Sequence, residues 1–288
     1  MLLTDYDTNM VYFSEWIRDF ACFNSISEVL KRHCINFDLL PFTKDYWIRD
    51  FMPVQIAESV FVEYKYNPDY LQSKRAFITD PKGCCTHLHI PTQKIDIVLD
   101  GGNIIKCRDA VIMTGKVFAE NPTFTKWQLY ETLEEAFQCR VIVIPWDRYE
   151  KYGHADGMVR YIDKERILLN NYINFDMALR KKLINALEGF YDIVELNYRV
   201  AKRSKLSWSY INFLQVGSFI LLPAIGAPED KLAFKQFSDL FNEHQVEENV
   251  GSRLAGAGGA GDHRLWWRQR RQHGSGGATG RGAHQRCG

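Results

Sequence analysis

Four short stretches of this chain carry residue types suited to holding a planar cation and moving protons on it. They are Trp47-Ile48-Arg49-Asp50, Leu99-Asp100-Gly101-Gly102-Asn103, Gly153-His154-Ala155-Asp156-Gly157 and Ser209-Tyr210-Ile211-Asn212. Together they supply three carboxylates (Asp50, Asp100, Asp156), one imidazole (His154), a side-chain amide (Asn212) and aromatic surface at Trp47. A guanidinium fits such a set, because carboxylates take its N–H forks in pairs and a ring covers its face. What the set lacks is a nucleophile.

The elements that must position these residues follow a rhythm. Apolar residues at i, i+3, i+4 spacing predict helices starting near Thr125, Asp176 and Glu229, which are 51 and 53 residues apart. Two short β-rich runs precede each helix: Ile104-Ile105 with Val111 to Met113, Val159 to Tyr161 with Ile167 to Leu169, and Ile211 to Phe213 with Phe219 to Leu222. A strand follows the first two, at Val141 to Ile144 and Ile193 to Leu196. The repeat is therefore strand–strand–helix–strand, with a period of roughly fifty residues. An earlier strand, helix and strand at Val11 to Phe13, Ser27 to Arg32 and Phe37 to Leu40 fit it too. Alternating α and β elements predict a layered α/β architecture.

The rhythm stops after Phe241, and the composition changes soon afterwards. Residues 251–288 hold eleven of the chain's 20 glycines, seven Arg, one Asp and no Ile, Val, Phe, Tyr, Lys or Glu. The expected division is a body at 1–249 and a Gly/Arg-rich tail at 250–288, disordered and foreign in character through a frameshift, fusion or insertion. An aromatic-basic patch at Trp266 to Arg271 is the other reading of that tail.

Without residues 251–288 the body has 29 basic and 34 acidic residues, a net charge of −5. That balance suits a small cationic substrate and disfavours a nucleic-acid partner. No run reaches the ~18–20 apolar residues of a membrane span, and the N-terminus lacks the basic and apolar regions of a secretory leader. The seven cysteines show no disulfide-framework spacing, which predicts reduced thiols and a cytoplasmic location. Cys84-Cys85 with His87 and His89 offers zinc-ligand types, but no second pair stands at finger spacing.

Taken singly, each motif has an ordinary explanation. Asp50 with Arg49 reads as a surface ion pair beside a core Trp47, and Asp100-Gly101-Gly102 as a turn whose glycines permit positive φ. Asn212 reads as a satisfied polar group at a strand end. Gly153 to Gly157, a His two residues from an Asp between glycines, is the most specific of the four.

In order and context, the four together resemble the agmatine deiminase / bacterial-type peptidyl-arginine deiminase family of the guanidine-modifying superfamily. Trp47 to Asp50 is similar to its Trp-x-Arg-Asp signature and Asp100 to Asn103 to its acidic Gly-Gly-Asn/Ser loop. Gly153 to Gly157 is similar to its Gly-His-x-Asp-Gly loop, and Ser209 to Phe213 to its Ser-Tyr-x-Asn segment. The resemblance runs from near Val11 to near Phe241. It implies the pentein fold, five ββαβ blades about a pseudo-fivefold axis, with the last blade expected to be incomplete here.

The resemblance also implies a metal-free, cofactor-free hydrolysis of a small guanidino substrate, agmatine or an arginine derivative, at a Cys nucleophile. Asp50 and Asp156 would clamp the guanidinium, with Trp47, Asp100 and Asn212 as further contacts. His154 would protonate departing ammonia and then activate water. Agmatine ranks ahead of peptidyl-arginine because no secretion signal is read; homo-oligomerisation stays open. In the family the Cys closes a Gly-Gly-x-x-x-Cys loop. Here Gly258-Gly259 is followed at that spacing by His263, and Gly276-Gly277 by Arg281. Cys287 has no Gly-Gly lead-in, and Cys107 reads as a buried strand thiol, so the chain is expected to be inactive.

Overall fold

The computed structural model describes residues 1–20, 22–150, 152–199, 209–249 and 267–270. Its first unit is β1 (Met10–Ser14), α1 (Cys22–Arg32) and β2 (Asn36–Leu40), followed by the single turn α2 (Ile48–Phe51). The second unit is β3 (Val54–Ala57), β4 (Val60–Lys65), α3 (Lys82–His87) and β5 (Gln93–Val98). The third is β6 (Ile105–Lys106), β7 (Ala110–Thr114), α4 (Lys116–Glu120), α5 (Lys126–Phe137) and β8 (Arg140–Ile144). The fourth is β9 (Val159–Tyr161), β10 (Arg166–Leu169), α6 (Tyr172–Phe175), α7 (Met177–Leu187) and β11 (Asp192–Glu195). The fifth is β12 (Leu214–Val216), β13 (Phe219–Pro223), α8 (Asp230–Leu240) and β14 (Gln245–Asn249), and β15 (Trp267–Arg270) follows it.

These strands form five three-stranded sheets of one construction: an antiparallel pair, then a parallel strand reached through a helix. The helices α5, α7 and α8 begin one residue after Thr125, Asp176 and Glu229. Thr125 and Asp176 cap their helices through side-chain oxygens that accept N–H groups three residues on, which explains why those starts were legible. Their buried faces, Leu129, Leu133 and Phe137 on α5 and Leu183 and Leu187 on α7, pack into separate hydrophobic clusters over neighbouring sheets.

Three sequence expectations change. Ile211 to Phe213 is not a strand: Ser209–Ile211 is a single tight turn, and the strand starts at Leu214. The fifth unit does not stop at Phe241, because Gln245–Asn249 pairs in parallel with β13. Its polar side chains, Gln245, Glu247 and Glu248, hide the strand from a reading based on apolar runs. In the tail, Trp267–Arg270 pairs antiparallel with β1, Phe13 opposite Trp267 and Met10 opposite Arg270. The rest of the tail, with Gly258-Gly259, His263, Gly276-Gly277, Arg281 and Cys287, lies outside the described residues.

Candidate active site

All four motifs occupy one kind of place in the fold. Trp47 to Asp50 joins β2 to β3, Asp100 to Asn103 joins β5 to β6, Gly153 to Gly157 joins β8 to β9, and Ser209 to Asn212 joins β11 to β12. Each lies between the parallel last strand of one unit and the first strand of the next. The unit repeat alone therefore brings stretches about fifty residues apart to equivalent positions. Four such turns are neighbours in space: α2 touches Gly101–Asn103, which touches Ala155–Gly157, which touches Ser209–Ile211.

At their meeting point the Asp50 and Asp100 carboxylates and the His154 ring offer ligand atoms within 4.8 Å of one another. His154 Nε2 lies 3.1 Å from Asp100 Oδ2, both side chains being 1% exposed. Gly102 makes this closeness possible. A Cβ there would stand 2.3 Å from His154 Nδ1 and 2.9 Å from Asp50 Oδ1. The glycine is needed for space rather than for the positive φ its turn suggested, since Gly101 and Gly102 are absent from the left-handed region. Gly153, by contrast, does take φ +70°, and a side chain there would strike the Trp146 ring and the Lys116 stem.

The backbone around these side chains is tied by buried polar groups. Tyr64 donates its hydroxyl to the Asp50 carbonyl at 2.7 Å. Asn103 Oδ1 accepts the Thr114 N–H at 2.8 Å, and the Thr114 hydroxyl donates to the Gly153 carbonyl at 2.6 Å. One threonine on β7 thus links the Asp100 turn to the His154 turn. The His154 turn is further held by Asn170, which donates to the Gly157 carbonyl at 2.9 Å.

Two resident cations share the site with the carboxylates. Arg49 Nε is 3.3 Å from Asp156 Oδ2, so the expected surface pair of Arg49 with Asp50 is instead a buried pair with Asp156. Lys116, the first residue of α4, is 1% exposed and reaches Asp100 at 3.4 Å and both Asp69 and Glu120 at 3.3 Å. Burial works against its charge, but Asp100, Glu120 and Asp69 outweigh that and hold the ammonium above the usual lysine range. Glu120 goes the other way: burial pushes its carboxyl up to about 7 in spite of Lys116. With Asp50 beside them, the carboxylates around these two cations outnumber the cations. The Asp50, Asp100 and His154 atoms are also close enough to hold a metal ion, and the Lys116 ammonium stands 3.4 Å from Asp100 Oδ2.

Sequence reasoning missed Lys116, Glu120 and two tyrosines. Tyr70 donates its hydroxyl to Asp100 Oδ1 at 3.1 Å, and its ring lies 4.8 Å from Lys116 Nζ. Tyr70 and Tyr152 set their rings 6.0 and 5.9 Å from the His154 ring. Trp47 packs into a hydrophobic cluster with Val11, Phe13 and Leu214, and Tyr210 bonds Asp230 from another cluster. Asn212 is 4% exposed, and its Oδ1 has no hydrogen-bond partner among the described residues.

None of the five free cysteines among the described residues is built as a nucleophile. Burial pushes Cys22 and Cys84 up to about 11 and Cys85, Cys107 and Cys139 up to about 12. Cys107 sits fully buried in the hydrophobic cluster that holds Ile105 and Ile112. The Cys84 thiol donates to the Pro41 carbonyl, and the described residues bring no His/Cys cluster together around it.

A buried cluster of Asp and His thus lies at the junction of repeated ββαβ units of an α/β fold. Residues 10–261 match the Porphyromonas-type peptidyl-arginine deiminase family, and the chain belongs to that family. It is 26% identical over 203 residues to the agmatine deiminase of Pseudomonas aeruginosa (strain LESB58), a match covering 57% of this chain and 55% of that protein. The match thus spans only about half the length of that relative. The C. jejuni agmatine deiminase structure superposes with a TM-score of 0.72 at 17% identity, covering 94% of this chain and 96% of that one. The dimethylarginine hydrolase (DDAH) structure from Pseudomonas aeruginosa gives 0.54 at 12% identity, covering 86% and 94%. The fold is that of these penteins, and no helix among the described residues is long and apolar enough to cross a membrane.

Proposed function

We propose that this chain binds the guanidinium head of a small substrate, agmatine in the first place, between Asp50, Asp100 and Asp156, and that it does not turn the substrate over. The observation that carries this reading is the convergence of Asp50, Asp100 and His154 within 4.8 Å, with Asp156 in the same turn as His154 and more carboxylates than cations around them. Four side chains no more than 3% exposed favour a slender ligand such as agmatine over a residue within a protein chain. A peptidyl-arginine is the second reading, favoured by the family to which the chain belongs.

The lineage's reaction would run as amidine hydrolysis. A thiolate adds to the guanidinium carbon, and ammonia leaves carrying a proton from His154. His154 then takes a proton from water, whose oxygen joins the carbon as the C–S bond breaks, releasing the ureido product and the thiolate. For agmatine that product is N-carbamoylputrescine. No metal or cofactor enters this sequence. In this chain neither Gly-Gly pair is followed at the required spacing by Cys, and burial raises all five free thiols among the described residues to about 11 or 12. Loss of a nucleophile removes most of the rate while leaving binding in place.

Two structural proposals accompany this reading. The five sheets of one construction are the blades of a pseudo-fivefold propeller, supported by the equivalent positions of the four motif turns. Residues 1–249 are the functional body and 250–288 a segment of foreign composition, supported by the loss of aliphatic residues there. The test is to incubate the chain with agmatine, arginine and an arginyl peptide and assay ureido product while following melting temperature. We expect no product from any, and a rise in melting temperature with agmatine. Rapid product formation would overturn the inactivity, and no thermal response to any of the three would overturn the binding site.

A further inference from the structure

The Trp47 ring, which the sequence offered as an aromatic cover for a planar cation, packs into a hydrophobic cluster with Val11, Phe13 and Leu214. The rings set against His154 come from elsewhere. Tyr70 lies between β4 and α3 in the second unit, and Tyr152 lies between β8 and β9, two residues before His154. Their ring centres stand 6.0 and 5.9 Å from that of His154. The two tyrosines meet each other edge to face, at 4.7 Å and 84°. That arrangement is a favoured one for aromatic pairs, so each ring helps to hold the other in place.

Tyr70 is fixed further by donating its hydroxyl to Asp100 Oδ1 at 3.1 Å, and its ring lies 4.8 Å from Lys116 Nζ. Exposure then gives the cluster a direction. Asp50, Asp100, Lys116 and His154 are buried, whereas Tyr70 and Tyr152 are half-buried. The tyrosines therefore stand where the buried charges meet solvent. A ligand whose guanidinium head reaches the carboxylates carries its stem outward past these rings. Methylenes suit that surface, since each one taken out of water raises affinity about fourfold. A bare guanidinium ion gains nothing from it.

We propose that Tyr70 and Tyr152 are specificity-determining residues of this site, packing along the stem of the ligand, and that the ligand class is guanidines carried on an alkyl chain. The proposal rests on the guanidinium reading of Asp50, Asp100 and Asp156. Neither tyrosine is assigned a part in bond making or proton transfer.

The test is calorimetry on the full chain with guanidinium ion and with butylguanidine, which carries the stem without a second charge. The wild-type chain should prefer butylguanidine at least about tenfold, the effect of covering roughly two methylenes. Tyr70→Ala and Tyr152→Ala should lose most of that preference, and Tyr70→Phe and Tyr152→Phe, which keep the rings, should retain it. A merely structural loss would weaken both ligands alike and leave their ratio unchanged. Equal binding of the two ligands by the wild-type chain, or a preference undiminished in both alanine variants, would overturn the proposal and leave the guanidinium site standing. Binding of neither ligand by the wild-type chain would overturn the guanidinium reading itself, and the proposal with it.

Discussion

Lys116 places its ammonium 3.4 Å from the same Asp100 oxygen that faces His154 Nε2 at 3.1 Å. The carboxylate is therefore shared between a permanent internal cation and the imidazole, and an incoming guanidinium must compete for it. Replacing Lys116 by Met leaves Asp100 and Glu120 buried without their cation. The expected cost is about 3–5 kcal/mol, the usual penalty for removing one partner of a buried ion pair. At the same time Asp100 is released, so agmatine should bind more tightly per folded molecule. Denaturant unfolding and calorimetry on Lys116→Met read the two effects separately. A variant as stable as the wild type would contradict the buried network.

Gly102 gives a steric prediction. Gly102→Ala puts a methyl group 2.3 Å from His154 Nδ1 and 2.9 Å from Asp50 Oδ1, so one of those side chains must leave its place. Overpacking of this kind costs about 1–3 kcal/mol. Agmatine binding should fall at least about tenfold, which is about 1.4 kcal/mol. A variant that binds as before would show that His154 and Asp50 do not need to approach each other this closely.

How much of this was legible in the sequence depended on residue type. The helices at Thr125 and Asp176 announced themselves because capping oxygens stand before apolar faces. The four motif turns were found by their order and context along the chain, since each taken singly has an ordinary explanation. Lys116 escaped because a single lysine among Val111, Ile112, Met113, Val117 and Phe118 carries no motif. Its signal was there, in an apolar run with Glu120 four residues on, the spacing of a helical ion pair. Arg49 was read with its sequence neighbour Asp50, whereas the fold gives it Asp156, 107 positions away. Strand β14 escaped because its polar run follows the pairing of β13 rather than any pattern of its own.

Glu120 sets a pH dependence of stability. In the folded chain its proton stays on up to about 7, while an unfolded glutamate releases it near 4.5. Between those values the folded state binds more protons, so stability is full below pH 4.5 and declines as pH rises through 7. The decline from this group amounts to at most about 3 kcal/mol. Glu120→Gln should lose that slope, which unfolding measured at half-unit steps from pH 4.5 to 8 would display. Parallel curves for the two proteins would show that Glu120 ionises in its ordinary range.

The thiols make a chemical prediction. With Cys107 pushed up to about 12 and enclosed, its thiolate fraction at neutral pH is on the order of one part in ten thousand or less. A haloacetamidine, shaped like the substrate's amidinium, should leave Cys107 unlabelled in the folded chain and modify it only after denaturation. Mass mapping of the modified cysteines, with and without agmatine, reads this directly. Rapid labelling of any cysteine that agmatine blocks would name a working nucleophile and contradict the inactive reading.

The central claim is that Asp50 and Asp156 hold a guanidinium. Isothermal calorimetry of agmatine into the wild-type chain, Asp50→Asn and Asp156→Asn, with putrescine as a control that keeps an amine but lacks the guanidinium, tests it most directly. We predict one binding event for agmatine, none for putrescine, and a loss of at least about tenfold in each variant, since a charged hydrogen-bond pair contributes about 1.5–3 kcal/mol. Equal binding of agmatine and putrescine, or affinity unchanged in both variants, would contradict it.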